Sequence, residues 1–266
     1  MNLLEARVAL RPRSLSDVLD LAGPFCLANR RLFAPLAFWL VAVGALLALL
    51  CRSQAGWSWP AVWLLLAGYL MLSGGVYTVA AGELLFHDPA ELRVRTVLAR
   101  FGRRFVAFLV ARLVHAGALA LSAAVLVPLP MVAARLFFFG EAVLLESATP
   151  LHSLSRSSRL VLHRSGPCFG LAVAALVAPV LFAVGADLVG NTLVDLVLQM
   201  GQPAGSLWSG GGSGYAVVGA LLSAPFVASA SCLGYIDLRT RKEGWDIQLR
   251  FMALADGEAR PRRIAS

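Results

Sequence analysis

Residues 32–51, with the sequence LFAPLAFWLVAVGALLALLC, carry no charged side chain and lie between Arg31 and Arg52. A helix rises 1.5 Å per residue, so a run of about twenty apolar residues matches the hydrocarbon core of a bilayer. Across the 266 residues of the chain, 59% are apolar and only 14% are charged. Soluble domains carry about 25% charged residues. The sequence therefore predicts an integral membrane protein.

Five further apolar runs follow the first one, at residues 61–82, 105–127, 131–146, 168–189 and 215–235. In lipid, helices and closed barrels are the structures that satisfy every backbone polar group, and runs of this length fit helices. Together with residues 32–51 they predict an all-α, polytopic membrane helical bundle with about six transmembrane helices. We expect a single integral membrane domain over residues 1–250 and a basic cytoplasmic tail over residues 251–266.

Charged amphipathic segments beside the spans predict helices that lie in the cytoplasmic interface. Ser14-Leu15-Ser16-Asp17 has the pattern of a capping box and predicts an N-terminal interfacial helix over residues 14–29. Gly23-Pro24 is expected to kink or end that helix. Asp88-Pro89 starts a second interfacial helix, which we expect to turn into the third span, and Thr149-Pro150 starts another.

The positions of Lys and Arg predict the orientation. On this map the outer loops hold Arg52 as their only basic residue, and nearly all others lie at the opposite side of the membrane. Basic residues in short loops stay on the cytoplasmic side. We therefore expect a multi-pass protein of the bacterial cytoplasmic membrane with both termini cytoplasmic. The net charge of +8 then reflects contact with anionic membrane lipids and not with nucleic acid.

The sequence lacks the motifs of common enzyme classes. Its four histidines do not form an H-E-x-x-H pattern, and neither a P-loop nor a G-x-S-x-G elbow is present. The four cysteines show no metal-type spacing with histidine. We expect a protein that is not an enzyme and that needs no cofactor or metal.

Four charged residues lie in or beside predicted spans, namely Arg112, Arg135, Glu141 and Glu146. A charge at the bilayer centre costs about 2.5 to 3.5 kcal/mol on insertion scales, so such side chains face protein or water. We interpret them as snorkelling residues or as an interhelical pair, with a proton or ion pathway as the alternative. On one continuous helix, Arg135 and Glu146 would share a face but lie about 16 Å apart, and Glu141 would point away from both.

Glu146 stands at the inner end of the fourth predicted span, directly before a basic helix. A carboxylate there can accept charge-assisted hydrogen bonds that fix how the chain leaves the bilayer. We expect it to pair with Arg112, Arg156 or Arg159.

A narrow basic stripe is predicted on the helix after Thr149. Its members follow one another at i, i+4, i+7 and i+11, namely His152, Arg156, Arg159 and His163. The stripe is interpreted as a surface facing solvent or lipid head groups. The alternative is an anion site for a lipid phosphate or an acidic partner.

The second span has small residues at intervals of seven. Gly68, Gly75 and Gly82 fall on one helix face, where small side chains let another helix approach closely in lipid. We interpret this face as a helix-packing seam and not as a ligand groove.

Four segments of the chain carry a resemblance to a known family: residues 11–20, 83–92, 135–160 with Arg135 and Glu146, and 235–246. They resemble the membrane domain attached to some bacterial glycerophosphoryl diester phosphodiesterases, and its stand-alone relatives. The resemblance implies a multi-pass membrane domain. It assigns no hydrolytic residue, because the phosphodiesterase's catalytic region has no counterpart here. Gly23-Pro24 and Glu141 depart from the family pattern.

These features favour a non-enzymatic inner-membrane protein that organises or assists a membrane partner complex. The alternative is a lipid or small-solute transporter component that uses the charged residues of the fourth span. A membrane-embedded enzyme is the third hypothesis, and the absence of a catalytic constellation argues against it. The expected partners are membrane lipids, anionic on the cytoplasmic side, and a membrane protein.

Overall fold

The computed structural model of the protein describes residues 14–87, 92–126, 128–146, 149–162, 164–199 and 204–243. Regular secondary structure within these ranges is helical throughout, as the sequence predicts. The α-helices, in chain order, are α1 (Leu15–Ala28), α2 (Arg30–Ser53), α3 (Trp59–Phe86), α4 (Val94–Ala123), α5 (Leu129–Leu136), α6 (Phe139–Leu145), α7 (Pro150–Val161), α8 (Ser165–Asn191), α9 (Leu207–Gly210), α10 (Gly214–Leu222) and α11 (Ala224–Glu243). A π-helical segment, Thr192–Val197, continues α8.

Five segments of the described chain are long and apolar enough to cross a membrane: α2, α3, α4, α8 with the start of the π-helical segment, and the α10–α11 pair. They confirm a polytopic helical bundle. The segments differ in burial. In the most apolar stretch of each segment, 72% of the residues of α10–α11 and 50% of those of α3 are buried, against 22% in α4 and in α8. The α10–α11 pair and α3 therefore form the centre, and α2, α4 and α8 present apolar side chains outward.

The fourth predicted span, residues 131–146, is not one helix in the structure. It consists of α5 and α6, each shorter than nine residues, with Phe137 and Phe138 between them. Phe138 is 1% exposed, and its ring centroid lies 5.8 Å from that of Tyr235 on α11. The aromatic ring is buried at the break in the helix. The hydrophobic periodicity and composition of residues 131–146 do not predict this break.

The sixth predicted span, residues 215–235, is also interrupted. The α10 helix ends at Leu222, and α11 begins at Ala224. Pro225 has no backbone N–H to donate into a continuing helix, so a new helix starts at this point. The Ser223 hydroxyl donates to the carbonyl oxygen of Ala220, 2.6 Å away, and satisfies one acceptor at the end of α10.

The expected turn between a second interfacial helix and the third span is absent, because α4 is continuous from Val94 to Ala123. An ion pair between Arg100 on α4 and Glu83 on α3 fixes the first turns of α4 against the bundle. The basic segment is therefore the beginning of a long helix, and not a separate helix lying flat on the membrane.

The N-terminal helix begins as predicted, with a capping box in which Ser14 and Asp17 each accept a backbone N–H. Pro24 lies inside α1 and does not end it. The apolar side of α1 is buried against α11, where the Cys26 thiol lies 3.2 Å from the Ser229 hydroxyl. The apolar side of this helix therefore covers protein, and the expectation that residues 14–29 lie in the cytoplasmic interface stays a prediction.

The two ends of the bundle have different chemistry. The start of α1, the start of α8 and the end of α11 line one crevice, which includes Ser14, Arg164 and Arg241. We call this the basic end. At the opposite, tryptophan end, Arg52 donates to the carbonyl oxygen of Trp57, 2.9 Å away. The first and last described helices therefore meet at the same end. The expected tail, residues 251–266, lies outside the described residues.

Two of the three seam glycines pack as close contacts. A Cβ added at Gly75 would lie 2.7 Å from the rings of Phe101 and Phe108 on α4, and one at Gly82 would overlap Leu145. Gly68 is exposed and has no atom within 4 Å of the position of a Cβ. The predicted seam is thus wrong at Gly68, because no other helix packs against α3 at that position.

Replacement of Gly75 by Leu is expected to lower stability by about 2 kcal/mol, since extra methylenes would be forced between α3 and the Phe rings of α4. The matched control is Gly68→Leu, which enters open space on the same helix face and should melt within about a degree of the parent. Thermal unfolding in detergent measures both. Equal melting of the two variants would contradict the assignment of the close contact to Gly75.

Candidate functional site

The bundle contains a buried pair of opposite charges, Arg112 on α4 and Glu141 in the first turn of α6. Arg112 Nη2 lies 3.9 Å from Glu141 Oε1, which allows electrostatic attraction but is too long for a hydrogen bond. The side chains are 17% and 3% exposed respectively. Both residues were predicted as intramembrane charges, and an interhelical pair was one of the two structural interpretations, but the pairing of Arg112 with Glu141 in particular was not predicted.

Neighbouring residues hold Arg112 in place. Its guanidinium carbon lies 4.9 Å from the centroid of the Phe108 ring, one helical turn earlier, in a cation–π contact. On the other side lies Gly140, where an added Cβ would stand 2.9 Å from Arg112 Cζ. Because Gly140 has no side chain, the guanidinium of Arg112 has space to lie close to Glu141.

Each member of the pair has a buried polar atom without a hydrogen-bond partner among the described residues. These atoms are Arg112 Nε, a donor, and Glu141 Oε2, an acceptor. A buried polar atom that stays unpaired costs about 1 to 3 kcal/mol, and more when the group is charged. The arrangement is thus complementary to a group that accepts from Arg112 and donates to Glu141.

The pair lines a cavity of about 180 Å³, which we call the charged cavity. Thr78, Ser223 and Ser231 belong to the same lining. The remaining wall consists mostly of apolar residues from α3, α5–α6, α8 and α11. A concave apolar site with a few convergent polar groups is the usual form of a small-molecule site.

The charged cavity continues into an apolar groove between α3 and α8, which we call the α3–α8 groove. The two share Leu70, Met71, Ala175 and Pro179. The groove has a volume of about 470 Å³ and extends to Trp63 and Leu207 at the tryptophan end. Leu176 on its rim is 74% exposed. Because the outer surface of α8 is apolar, the groove opens sideways towards lipid.

The second intramembrane carboxylate, Glu146, has a complete set of partners. Tyr235 donates its hydroxyl to Glu146, Arg156 pairs with it, and Arg239 Nη1 lies 3.3 Å from Oε1. We call these four residues the Glu146 cluster. They connect α6, α7 and α11 at the basic end. Of the three arginines expected as partners, Arg156 forms the pair, Arg112 pairs with Glu141 instead, and the side chain of Arg159 is exposed.

Sequence reasoning missed Tyr235 and Arg239, which lie 89 and 93 residues after Glu146. Tyr235 and Arg239 are four residues apart at the end of the last apolar run, and this spacing places a hydroxyl and a cation on one helix face. That spacing does not say which helix the face meets.

Arg135 does not share a helix face with Glu146, because the helix breaks between them at Phe137 and Phe138. The carbonyl oxygen of Arg135 accepts a hydrogen bond from the Ser157 hydroxyl on α7, 2.6 Å away. The contact at this position joins α5 to α7 through the backbone.

The predicted basic stripe does not form one surface on α7. His152 and Arg159 are exposed, whereas Arg156 points inward to Glu146. His163 lies outside the described residues. The stripe interpretation is wrong for Arg156, because a tertiary ion pair takes that side chain away from the solvent-facing side.

A third carboxylate, Asp187 on α8, connects segments at the tryptophan end. It is 1% exposed and accepts hydrogen bonds from the Ser213 hydroxyl, from the backbone N–H of Leu207 at 3.2 Å and from Asn191 Nδ2 at 3.0 Å. Asp195, eight residues later in the chain, is exposed. The hydrogen bonds of Asp187 are supplied by the protein, and they hold α9 beside the groove.

Among the described residues, no group of His, Cys, Asp and Glu side chains is placed to hold a metal ion.

Replacement of Glu146 by Gln is expected to lower stability by about 3 kcal/mol, because two arginines would lose their anion in a largely buried cluster. The double variant Glu146→Gln/Arg156→Gln should recover part of the loss, since one unpaired cation is removed with the anion. His152→Gln, on the exposed side of α7, is the control. If Glu146→Gln melts with the parent in detergent, the cluster does not hold the three helices together.

No protein family, curated protein or solved structure compared with this chain matches it, so the family resemblance of the four segments stays a prediction.

Proposed function

We propose that the protein is a transporter component of a bacterial cytoplasmic membrane, which binds a lipid or another membrane-dissolved solute and moves it along the bundle. One observation carries the proposal. Arg112 and Glu141 are largely buried and lie 3.9 Å apart, each keeps an unpaired polar atom, and both line a cavity that shares four lining residues with the α3–α8 groove. Polar groups near the membrane interior mark solute pathways in transport proteins.

The contrast with Glu146 and Asp187 supports this proposal. Glu146 and Asp187 have their partners within the protein, as expected of groups that only hold helices together. A purely structural role for Glu141 would be better served by a full set of hydrogen bonds. The half-satisfied pair at a cavity wall fits a site that exchanges partners with a solute.

The first expectation from the sequence, an organiser of a membrane partner complex, stays a prediction. Such a protein needs an outer surface for its partner, but it does not need unpaired charges on an internal cavity. Chemical cross-linking in the native membrane, followed by identification of what co-purifies, separates the two roles. A stoichiometric protein partner would favour the organiser.

Neutralising both members of the pair is expected to stop solute movement without unfolding the protein. Removal of one partner of a buried ion pair costs about 3 to 5 kcal/mol because the other charge is left unpaired, whereas the double replacement leaves no unpaired charge. Arg112→Gln/Glu141→Gln in proteoliposomes should therefore melt close to the parent. It should lose at least about tenfold in the rate at which an acyl-chain-labelled fluorescent phospholipid crosses the bilayer, a loss of about 1.4 kcal/mol in transition-state stabilisation.

The matched control is Arg100→Gln/Glu83→Gln, which neutralises the ion pair between α3 and α4 at the basic end, outside the charged cavity. It should keep the parental rate. Parental movement by the Arg112/Glu141 double variant, or equal loss in the control, would remove the proposed role of the pair.

The orientation proposed with this function places the basic end in the cytoplasm, with both termini there. The support is the positive-inside rule together with the gathering of arginines at that end. Single cysteines at Ala55 and Ser209 should react with a membrane-impermeant maleimide from outside intact cells, once the four native cysteines are replaced. Cysteines at Arg95 and Ser155 should react only after the membrane is opened. Labelling of Ser155→Cys in intact cells would reverse the orientation.

A further inference from the structure

The two connected cavities differ in chemistry in a way that describes a ligand. The charged cavity presents one unpaired donor and one unpaired acceptor, Arg112 Nε and Glu141 Oε2. The α3–α8 groove presents almost entirely apolar side chains. A molecule that fills both must be polar at one end and apolar at the other.

The charges at the site identify the polar end. Arg112 and Glu141 carry opposite charges, so the pair as a whole is close to neutral. A simple anion would meet Glu141, and a simple cation would meet Arg112, at an unfavourable distance. A head group that carries both an anionic acceptor and an N–H donor satisfies both unpaired atoms at once.

The direction of the groove fits a membrane lipid. From Gly74, beside the charged cavity, to Trp63 at the far wall, α3 advances eleven residues, or about 16 Å. The chain end therefore points to the tryptophan end and the head group points to the basic end. Arg112 lies seven residues after Phe105, the expected inner boundary of its span, or about 10 Å into the bilayer. Lipids of the leaflet on the basic side have this same direction.

We propose that the site takes an amphiphile with a zwitterionic, N–H-bearing head group, whose acyl chain lies in the α3–α8 groove. The head group's phosphate or carboxylate accepts from Arg112, and its ammonium donates to Glu141. The chain enters sideways between α3 and α8 from the surrounding lipid. This inference rests on the proposed function and names the substrate class of the same site.

Two probes with identical acyl chains test the head-group assignment. Lysophosphatidylethanolamine has three ammonium N–H donors, whereas lysophosphatidylcholine has the same charges and no N–H. Each carries a photoreactive diazirine near the end of its chain. With the full-length protein in nanodiscs, adducts should map to residues 63–71 of α3 and 175–184 of α8. The ethanolamine probe should label at an about tenfold lower concentration, since a hydrogen bond to a charged group is lost with choline.

Variants of the chain separate the groove from the charged pair. Ala175→Phe fills the junction of cavity and groove and should abolish labelling by both probes, whereas Leu181→Phe, on the exposed side of α8, should leave it unchanged. Arg112→Gln/Glu141→Gln should retain labelling of the groove but lose the preference for the ethanolamine head. This last variant tests the head group even if Ala175→Phe fails to fold.

The outcomes distinguish this inference from the proposed function. Equal labelling by the two probes, or adducts spread over the exposed faces of α2 and α4, would overturn the inference, even if proteoliposomes move lipid. Selective labelling of the groove combined with no lipid movement in proteoliposomes would support the ligand class and overturn the transport function.

Discussion

Hydrocarbon offers no hydrogen-bond partner to a charged side chain, and the arrangement of polar groups in this bundle depends on that constraint. Glu146 and Asp187 have their partners supplied by other helices or by the chain nearby. Glu146 is held by Tyr235, Arg156 and Arg239, and Asp187 is held from three sides. These contacts position α6, α7 and α11 at one end of the molecule and the α9 region at the other.

Glu141 has an oppositely charged neighbour but no hydrogen bond to it, and the local packing explains why. Gly140 permits Arg112 to approach, but the guanidinium is also drawn over the Phe108 ring, which leaves 3.9 Å between the opposite charges. Close contact at Gly75 and open space at Gly68 belong to the same geometry that leaves a groove beside α8.

The sequence predicts those parts of the fold that depend on local pattern. The apolar runs, the capping box at Ser14 and the confinement of Arg52 to one end follow from composition, period and charge, and each occurs in the structure. The break at Phe137–Phe138 and the partners of Glu141 and Glu146 depend on contacts between segments far apart in the chain. At the break, the Phe138 ring is buried beside Tyr235, and no local pattern in the sequence predicts a contact between residues so far apart in the chain.

The central position of α10–α11 has a consequence for biogenesis. The chain leaves the ribosome from its N-terminus, so the outer helices α2, α4 and α8 enter the membrane before the segment that they surround. Until that last segment arrives, α3 lacks its main neighbour, and the partners that Tyr235 and Arg239 give to Glu146 are still missing. The tertiary bundle therefore closes only after α10–α11 has entered the membrane.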